Sequence, residues 1–312
     1  MQSKKFTTSL AVGIALLVSS AAPSYAATFT AYSAVLSGNP SLPSGSEISS
    51  FLNQILTDPT VLDNPANVGF SNFQRDLQTN TAPVSSAISV SPLPGTTLSG
   101  SASSDTIYNP SAIALNTRTQ SNLTPGTTAN VNGAASGALI ADNIVVNSLS
   151  TPTGTSGFVR LGLSITGSGQ VSPAGETSAG AVIAVGNQVF STPNAITGNT
   201  EFVTNPVAIN FGTPVDLKIG LGSAAGFPGN IPVVNFSGST NFNAQLTSFQ
   251  VTDANGNPLT DVTAISPTTG VDYVQAVPFS PSPTLGLLLL GGAWGVGSKL
   301  KKHNLLNKKD VA

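Results

Sequence analysis

The chain has 312 residues, of which 40% are hydrophobic and only 8% charged, with no Cys, one His and a net charge of -2. A soluble domain is ordinarily about a quarter charged; here small polar residues take that share, a composition suited to short strands and turns. Of the 11 Lys and Arg, two stand at the start and five in the tail, leaving four, while 12 of the 13 Asp and Glu precede the tail, so the middle carries -8. A body that acidic has no electrostatic footprint for nucleic acid, and a Cys-free chain is not a disulfide scaffold.

The first predicted element is a signal peptide over residues 1–26. Lys4 and Lys5 precede an apolar run from Leu10 to Ala22, and Ser24 and Ala26 supply small residues at the cleavage positions. The mature chain is therefore expected to begin at Ala27, outside the cytoplasm.

A helical N-terminal part is predicted over about residues 44–78. Ser44 and Glu47 have the spacing of a capping box, and Ile48, Phe51, Leu52 and Ile55 then recur at helical intervals until Asp58-Pro59. Phe70, Phe73 and Leu77 would share one face of a second short helix. The stretch from Pro92 to Gly137, rich in Ser, Thr, Pro, Gly and Asn, reads as exposed loops with weak edge strands, or as a linker.

Beyond Ala82 the apolar period becomes two. Candidate strands are 87–90, 138–147, 156–166, 179–191, 205–211, 215–226 and 242–253, separated by Gly, Pro, Asn and Ser. VRLGLSI and VDLKIGL alternate, one face for a core and one for water. The predicted fold is mainly β: residues 27–276 form one antiparallel β-sandwich, jelly-roll-like, beside the short N-terminal helices.

Little catalytic equipment is visible. The only histidine, His303, lies in the tail, so serine–histidine chemistry and His- or Cys-based zinc sites have no ligands in the body. Asp142, Glu176, Glu201 and Asp216 are the carboxylates a hydrolase could pair, though no pairing shows in the sequence. Asp105 and Asp142 read as solvated loop charges. The body's three tyrosines, Tyr32, Tyr108 and Tyr273, are too few to mark a sugar-stacking platform. Asp253, Asn255, Asn257 and Asp261 fall at the first, third, fifth and ninth places of a calcium-type loop, but Pro258 and Ala264 stand where an EF-hand needs Gly and Glu. A solvated Asn-Gly turn explains them more simply. No cofactor is expected.

The tail is a second address. Pro278, Pro281 and Pro283 precede an uncharged run from Thr284 to Ser298, about 22 Å long as a helix, which is short for a membrane span. Lys299, Lys301 and Lys302 follow, where a membrane stop and the cytoplasmic side are expected. This order resembles the sorting signal of PEP-CTERM proteins, in a cyanobacterial variant with the consensus V-P-F-E-x-S-P-T-L-G-L. Val277, Pro278, Phe279, Ser282, Pro283 and Thr284 match it, as do Leu285, Gly286 and Leu287; Ser280 stands where that variant has Glu. The turn Asp253-Ala254-Asn255-Gly256-Asn257-Pro258 also resembles the final hairpin of many PEP-CTERM β-sandwich domains. The resemblance implies an exosortase-type enzyme as partner, a sorting and anchor segment over 277–303 and a cytoplasmic end over 304–312. The expected function is a noncatalytic envelope or extracellular-matrix protein, structural or adhesive, possible partners including extracellular polysaccharide. A carbohydrate- or calcium-binding surface module and a carboxylate hydrolase are the alternatives.

Overall fold

A computed structural model describes residues 26–38, 70–90, 98–123, 131–172, 176–192, 196–228 and 236–277. The signal peptide, the helix expected at 44–58 and the sorting tail after Val277 lie outside the described residues.

Among the described residues, fourteen strands form two antiparallel sheets in a sandwich-like arrangement. The first sheet runs β2(Phe70–Asn80)–β1(Thr28–Gly38)–β6(Val131–Ser148)–β12(Pro214–Pro228)–β8(Glu176–Val185)–β9(Gln188–Ser191), with β14(Val262–Ile265) also on β6. The second runs β10(Thr200–Val203)–β7(Ser156–Ser172)–β13(Phe236–Asp253)–β5(Ala112–Leu123)–β4(Leu98–Asn109)–β3(Ser85–Val90), with β11(Val207–Asn210) also on β7.

Alternation decides which side chains enter. Ile140, Ile219 and Ile183 lie in one register row of the first sheet and are buried. Leu163 and Leu246 pair on the second, also buried. These residues belong to one apolar core together with Phe29, Ile113, Phe211 and Phe242. Farther along the strands the interior becomes polar. Ser33, Ser104, Ser121, Ser223 and Thr240 are all buried, and their hydroxyls tie the sheets together. Ser104 donates to the Tyr32 carbonyl at 3.0 Å, Ser121 to the Ala225 carbonyl at 2.9 Å, Ser33 to the Ser86 carbonyl at 3.2 Å and Thr240 to Ser223 Oγ at 3.0 Å. A buried hydroxyl is costly only when it lacks a partner, so small hydroxyl residues can line a core.

Four expectations change. Phe70–Asn80 is no helix: it is strand β2, paired with β1 along its length. The spacing of Phe70, Phe73 and Leu77 suits a helix locally, but pairing with β1 satisfies its backbone. The stretch 92–137 is not all loop or linker, because it holds β4 and β5, and β5 lies between β13 and β4. Residues 179–191 are two strands, since Gly186, with φ at +57°, and Asn187 turn β8 back into β9. Finally, the turn after Asp253 does not begin a hairpin of any length. The return makes a single bridge, Thr252 to Pro258, before the chain crosses to β14 on the other sheet. Gly256 takes φ at +84° in that turn, a conformation glycine adopts without strain.

Candidate binding face and the buried Asp142 cluster

The outer face of the second sheet is built by the same alternation that builds the core. In β4, Ser104 and Thr106 point inward, so Ser101, Ser103 and Asp105 point out; in β5, Thr117 and Thr119 are buried and Asn116, Arg118 and Gln120 face away. Strand register lines these up in rows: Ser101, Gln120, Ser239 and Gln170 form one; Ser103, Arg118, Asn241 and Ser168 the next; and Asp105, Asn116, Asn243 and Thr166 a third. All twelve are half-buried or exposed. One acid and one base aside, the block is hydroxyls and primary amides. Neighbours in a row sit about 4.8 Å apart, and rows repeat at roughly 7 Å along the strands. Asn116 donates to Asp105 at 2.7 Å and accepts from Asn243, fixing three of these side chains. Amides and hydroxyls both donate and accept, so the face can bind an uncharged polyhydroxyl surface by hydrogen bonds.

The second feature lies inside. Asp142 was expected as a solvated loop charge, but it sits within β6 and is 6% exposed. Its place between Ile140 and Ile144, at two-residue steps, turns it to the core. Four donors satisfy it: the Asn143 backbone N–H at 2.7 Å and Ser266 Oγ at 3.0 Å on one oxygen, Tyr108 at 2.6 Å and Tyr273 at 3.0 Å on the other. Burial, with Asp142 beside it, pushes the Tyr108 hydroxyl up to about 12. Tyr273 is raised well above its ordinary value by burial and by the Asp142 charge. The Tyr108 ring packs edge-on against Phe29 at 5.0 Å and Tyr273 at 5.9 Å. The turn at 266–270 closes over this cluster, and Thr268 Oγ1 accepts from the Ala27 backbone N–H at 3.3 Å. Sequence reasoning treated the tyrosines only as absent sugar platforms; the inward parity of Asp142 was the signal available.

The other candidate residues are dispersed. Asp216 is exposed and accepts from Asn143 Nδ2 at 3.0 Å, beside a groove of ≈ 390 Å³ that Ser156, Asn210 and Thr213 also line. Leu217, next to Asp216, is in the core while Asp142 points inward, so the two carboxylates face opposite sides of the first sheet. Glu201 lies on the outer side of the second sheet and Glu176 at the start of β8. The structure does not bring the four together. Of the calcium-type set, Asp253, Asn255 and Asn257 do meet, but as a turn: Asp253 accepts from both Asn backbone N–H groups and from Asn257 Nδ2, each at 2.8 Å. Those bonds, Asn257's first, hold the Asp253 carboxyl below its usual range. Asp261 instead accepts from Ser148, the last residue of β6, and from Ser150 just beyond it. No group of three or more Asp, Glu, His or Cys is gathered as a metal site among the described residues. Of the sorting motif only Val277 is described, partly buried against the core; the rest of the motif and Lys299, Lys301 and Lys302 lie beyond. No described helix is long and apolar enough to cross a membrane.

No protein-family model matches the chain, and no curated protein does either. Among solved structures it is similar to a chain from the structure of infectious bursal disease virus, Gt strain, at 15% identity and a TM-score of 0.21, over 76% of this chain and 58% of that one.

Proposed function

We propose that this chain is an exported, noncatalytic envelope or matrix protein, structural or adhesive, carried out by its signal peptide and sorted by its PEP-CTERM-like tail. An exosortase-type enzyme is the partner for the tail, and the outer face of the second sheet is the part that contacts matrix polysaccharide. One observation carries this reading: three register rows of hydroxyls and amides on the outer face of the second sheet, with a single acid and a single base among them. Such a face offers hydrogen bonds to a neutral polymer and little to a charged one.

The test is retention on insoluble neutral polysaccharides, with cellulose, chitin and a β-1,3-glucan as probes. Retention that survives high salt and EDTA, and falls at least tenfold in Gln120→Glu/Asn241→Asp, supports the reading. Retention on none of the three overturns it. Binding abolished by EDTA and by Asp253→Ala would instead favour a calcium-dependent carbohydrate module. Intact mass of the protein from membrane and medium tests the sorting part: a chain ending near Pro278 outside the membrane is expected, and one reaching Ala312 only in the membrane would mean a permanent anchor.

A further inference from the structure

We infer that removal of the signal peptide creates a new charged group, the α-ammonium of Ala27, and that the Asp142 cluster is the site built to receive it, so that export processing locks the two ends of the body together. The inference rests on the export reading above, with cleavage after Ala26.

Three observations lead there. First, Asp142 is a buried carboxylate held, among the described residues, by neutral donors: a backbone N–H and the hydroxyls of Ser266, Tyr108 and Tyr273. No ion pair to it is found among the described residues. A buried carboxylate is stabilised most by a cation, and four arginines and lysines remain for the whole middle of the chain.

Second, Ala27 is placed beside it. Thr28, the first residue of β1, pairs with Ala141 in the β1–β6 register, so Ala27, just before the strand, falls at the step next to Asp142. The Ala27 nitrogen donates to Thr268 Oγ1 at 3.3 Å; Thr268 Oγ1 lies 3.1 Å from Ser266 Oγ; Ser266 donates to Asp142 Oδ1 at 3.0 Å. A short hydroxyl relay thus joins the nitrogen that cleavage would free to the buried carboxylate. Third, the boundary is sharp: Ala26 is exposed and Ala27 is 2% exposed. The bond to be cut lies at the surface while the new terminus begins inside.

The relay residues, Ser266 and Thr268, belong to the segment that ends the body, where Tyr273 and Ala276 are fully buried. Charge at Ala27 therefore strengthens the attachment of residues 262–277, immediately before the sorting motif. In the unprocessed chain the same nitrogen is a neutral amide and gives only the hydrogen bond.

Among the described residues the titratable groups at the site are Asp142 on β6, Tyr108 on β4 and Tyr273 on the closing segment; Asp272, next to Tyr273, accepts from the Ala264 and Val274 backbone N–H groups instead. An α-amino group ordinarily titrates near 7.7–8.0, and pairing with a carboxylate raises it in the folded state. Its stabilisation is then complete below the unfolded value and lost as pH rises through the raised folded value.

The experiment compares two exported, processed proteins. One is the natural chain; the other carries Gly-Ser-Gly inserted between Ala26 and Ala27, which moves the amine away from the cluster. Intact mass shows where each begins. A first residue other than Ala27 in the natural chain refutes the cleavage reading by itself. Given the expected start, the natural chain should melt roughly 3–6 °C above the extended one near pH 6, with slower hydrogen exchange at 262–277, and the gap should close at about pH 10. Thr268→Val, which cuts the relay but keeps both tyrosines on Asp142, should shrink the gap at least twofold, and Asp142→Asn should abolish it. Equal melting of the two forms at pH 6, a gap that does not change with pH, or one that Thr268→Val leaves intact would overturn the inference; the Thr268 variant decides even if the Asp142 variant fails to fold.

Discussion

Among the described residues, Thr117 alone has a buried side-chain oxygen without a hydrogen-bond partner. Two positions along the same strand, Thr119 meets Thr240 at 2.6 Å. Thr and Val have nearly the same shape, so the two substitutions separate desolvation from packing. Thr117→Val removes an unsatisfied hydroxyl and should stabilise by about 1 kcal/mol, whereas Thr119→Val removes a satisfied bond, leaving Thr240 only its bond to Ser223, and should cost about 1 kcal/mol. Paired thermal melts, opposite in sign, are the check. Gly137 makes a steric rather than a polar argument. A Cβ there would stand 2.0 Å from Cε1 of the Tyr32 ring, which lies across the neighbouring strand. Gly137→Ala must displace that buried ring and should cost about 2–4 kcal/mol. In Tyr32→Leu the same Ala should cost much less, a coupling that a double-mutant cycle by urea unfolding would read.

At the scale of the element, strands β4 and β5 show how far sequence reading reached. Strands with branched apolar residues at every second place, such as β7 and β12, were legible from period alone. In β4 the inward residues are Ala102, Ser104 and Thr106, and the outward ones are Ser101, Ser103 and Asp105, so both faces look like loop. The difference lies across the sandwich, in the Tyr32 carbonyl that Ser104 meets, and no local pattern encodes it. The proposed binding face was hidden for the same reason, because its rows exist only once four strands are in register. Asp142 was readable in principle by parity, but not its two tyrosines, one 34 residues before it and one 131 after. The close fit of the polar end follows from its small residues and is testable. Ser104→Ala should cost about 1 kcal/mol for the lost inter-sheet bond, and Ser104→Val about 1–3 kcal/mol because the branched side chain also forces the sheets apart. Faster hydrogen exchange in β1 and β4 in the Val variant, but not in the Ala one, would separate the two causes.

For the whole molecule, charge is so sparse that its stability should depend on pH in two distant windows. Asp253 and Asp261 titrate below their ordinary values: Asp253 through its bonds to Asn257, Asp261 because desolvation, the largest single influence and an upward one, is outweighed by the bonds from Ser150 and Ser148 together. Asp76 behaves like Asp261, with Gln78, Ala87 and Ser86 outweighing its desolvation. A lowered carboxylate stabilises fully above its unfolded value, near 3.9, and loses that contribution as pH falls through the folded value. The alkaline window has the opposite sign of proton uptake. Burial and the Asp142 charge raise Tyr108 to about 12 and Tyr273 well above its ordinary 10.0. The unfolded chain releases those protons from about pH 10 upward while the folded chain keeps them, so stability falls with rising pH from there. Tyr273→Phe removes one such group and should flatten that descent, although it also removes a hydrogen bond and lowers stability at every pH. Between the windows the body has no histidine and no cysteine to titrate. Urea midpoints measured across pH should therefore be nearly level from about pH 5 to 9 for a chain whose Ala27 nitrogen is an amide. Any slope near pH 8 in the processed protein then belongs to the α-amine at Ala27, because no other group in the body titrates there.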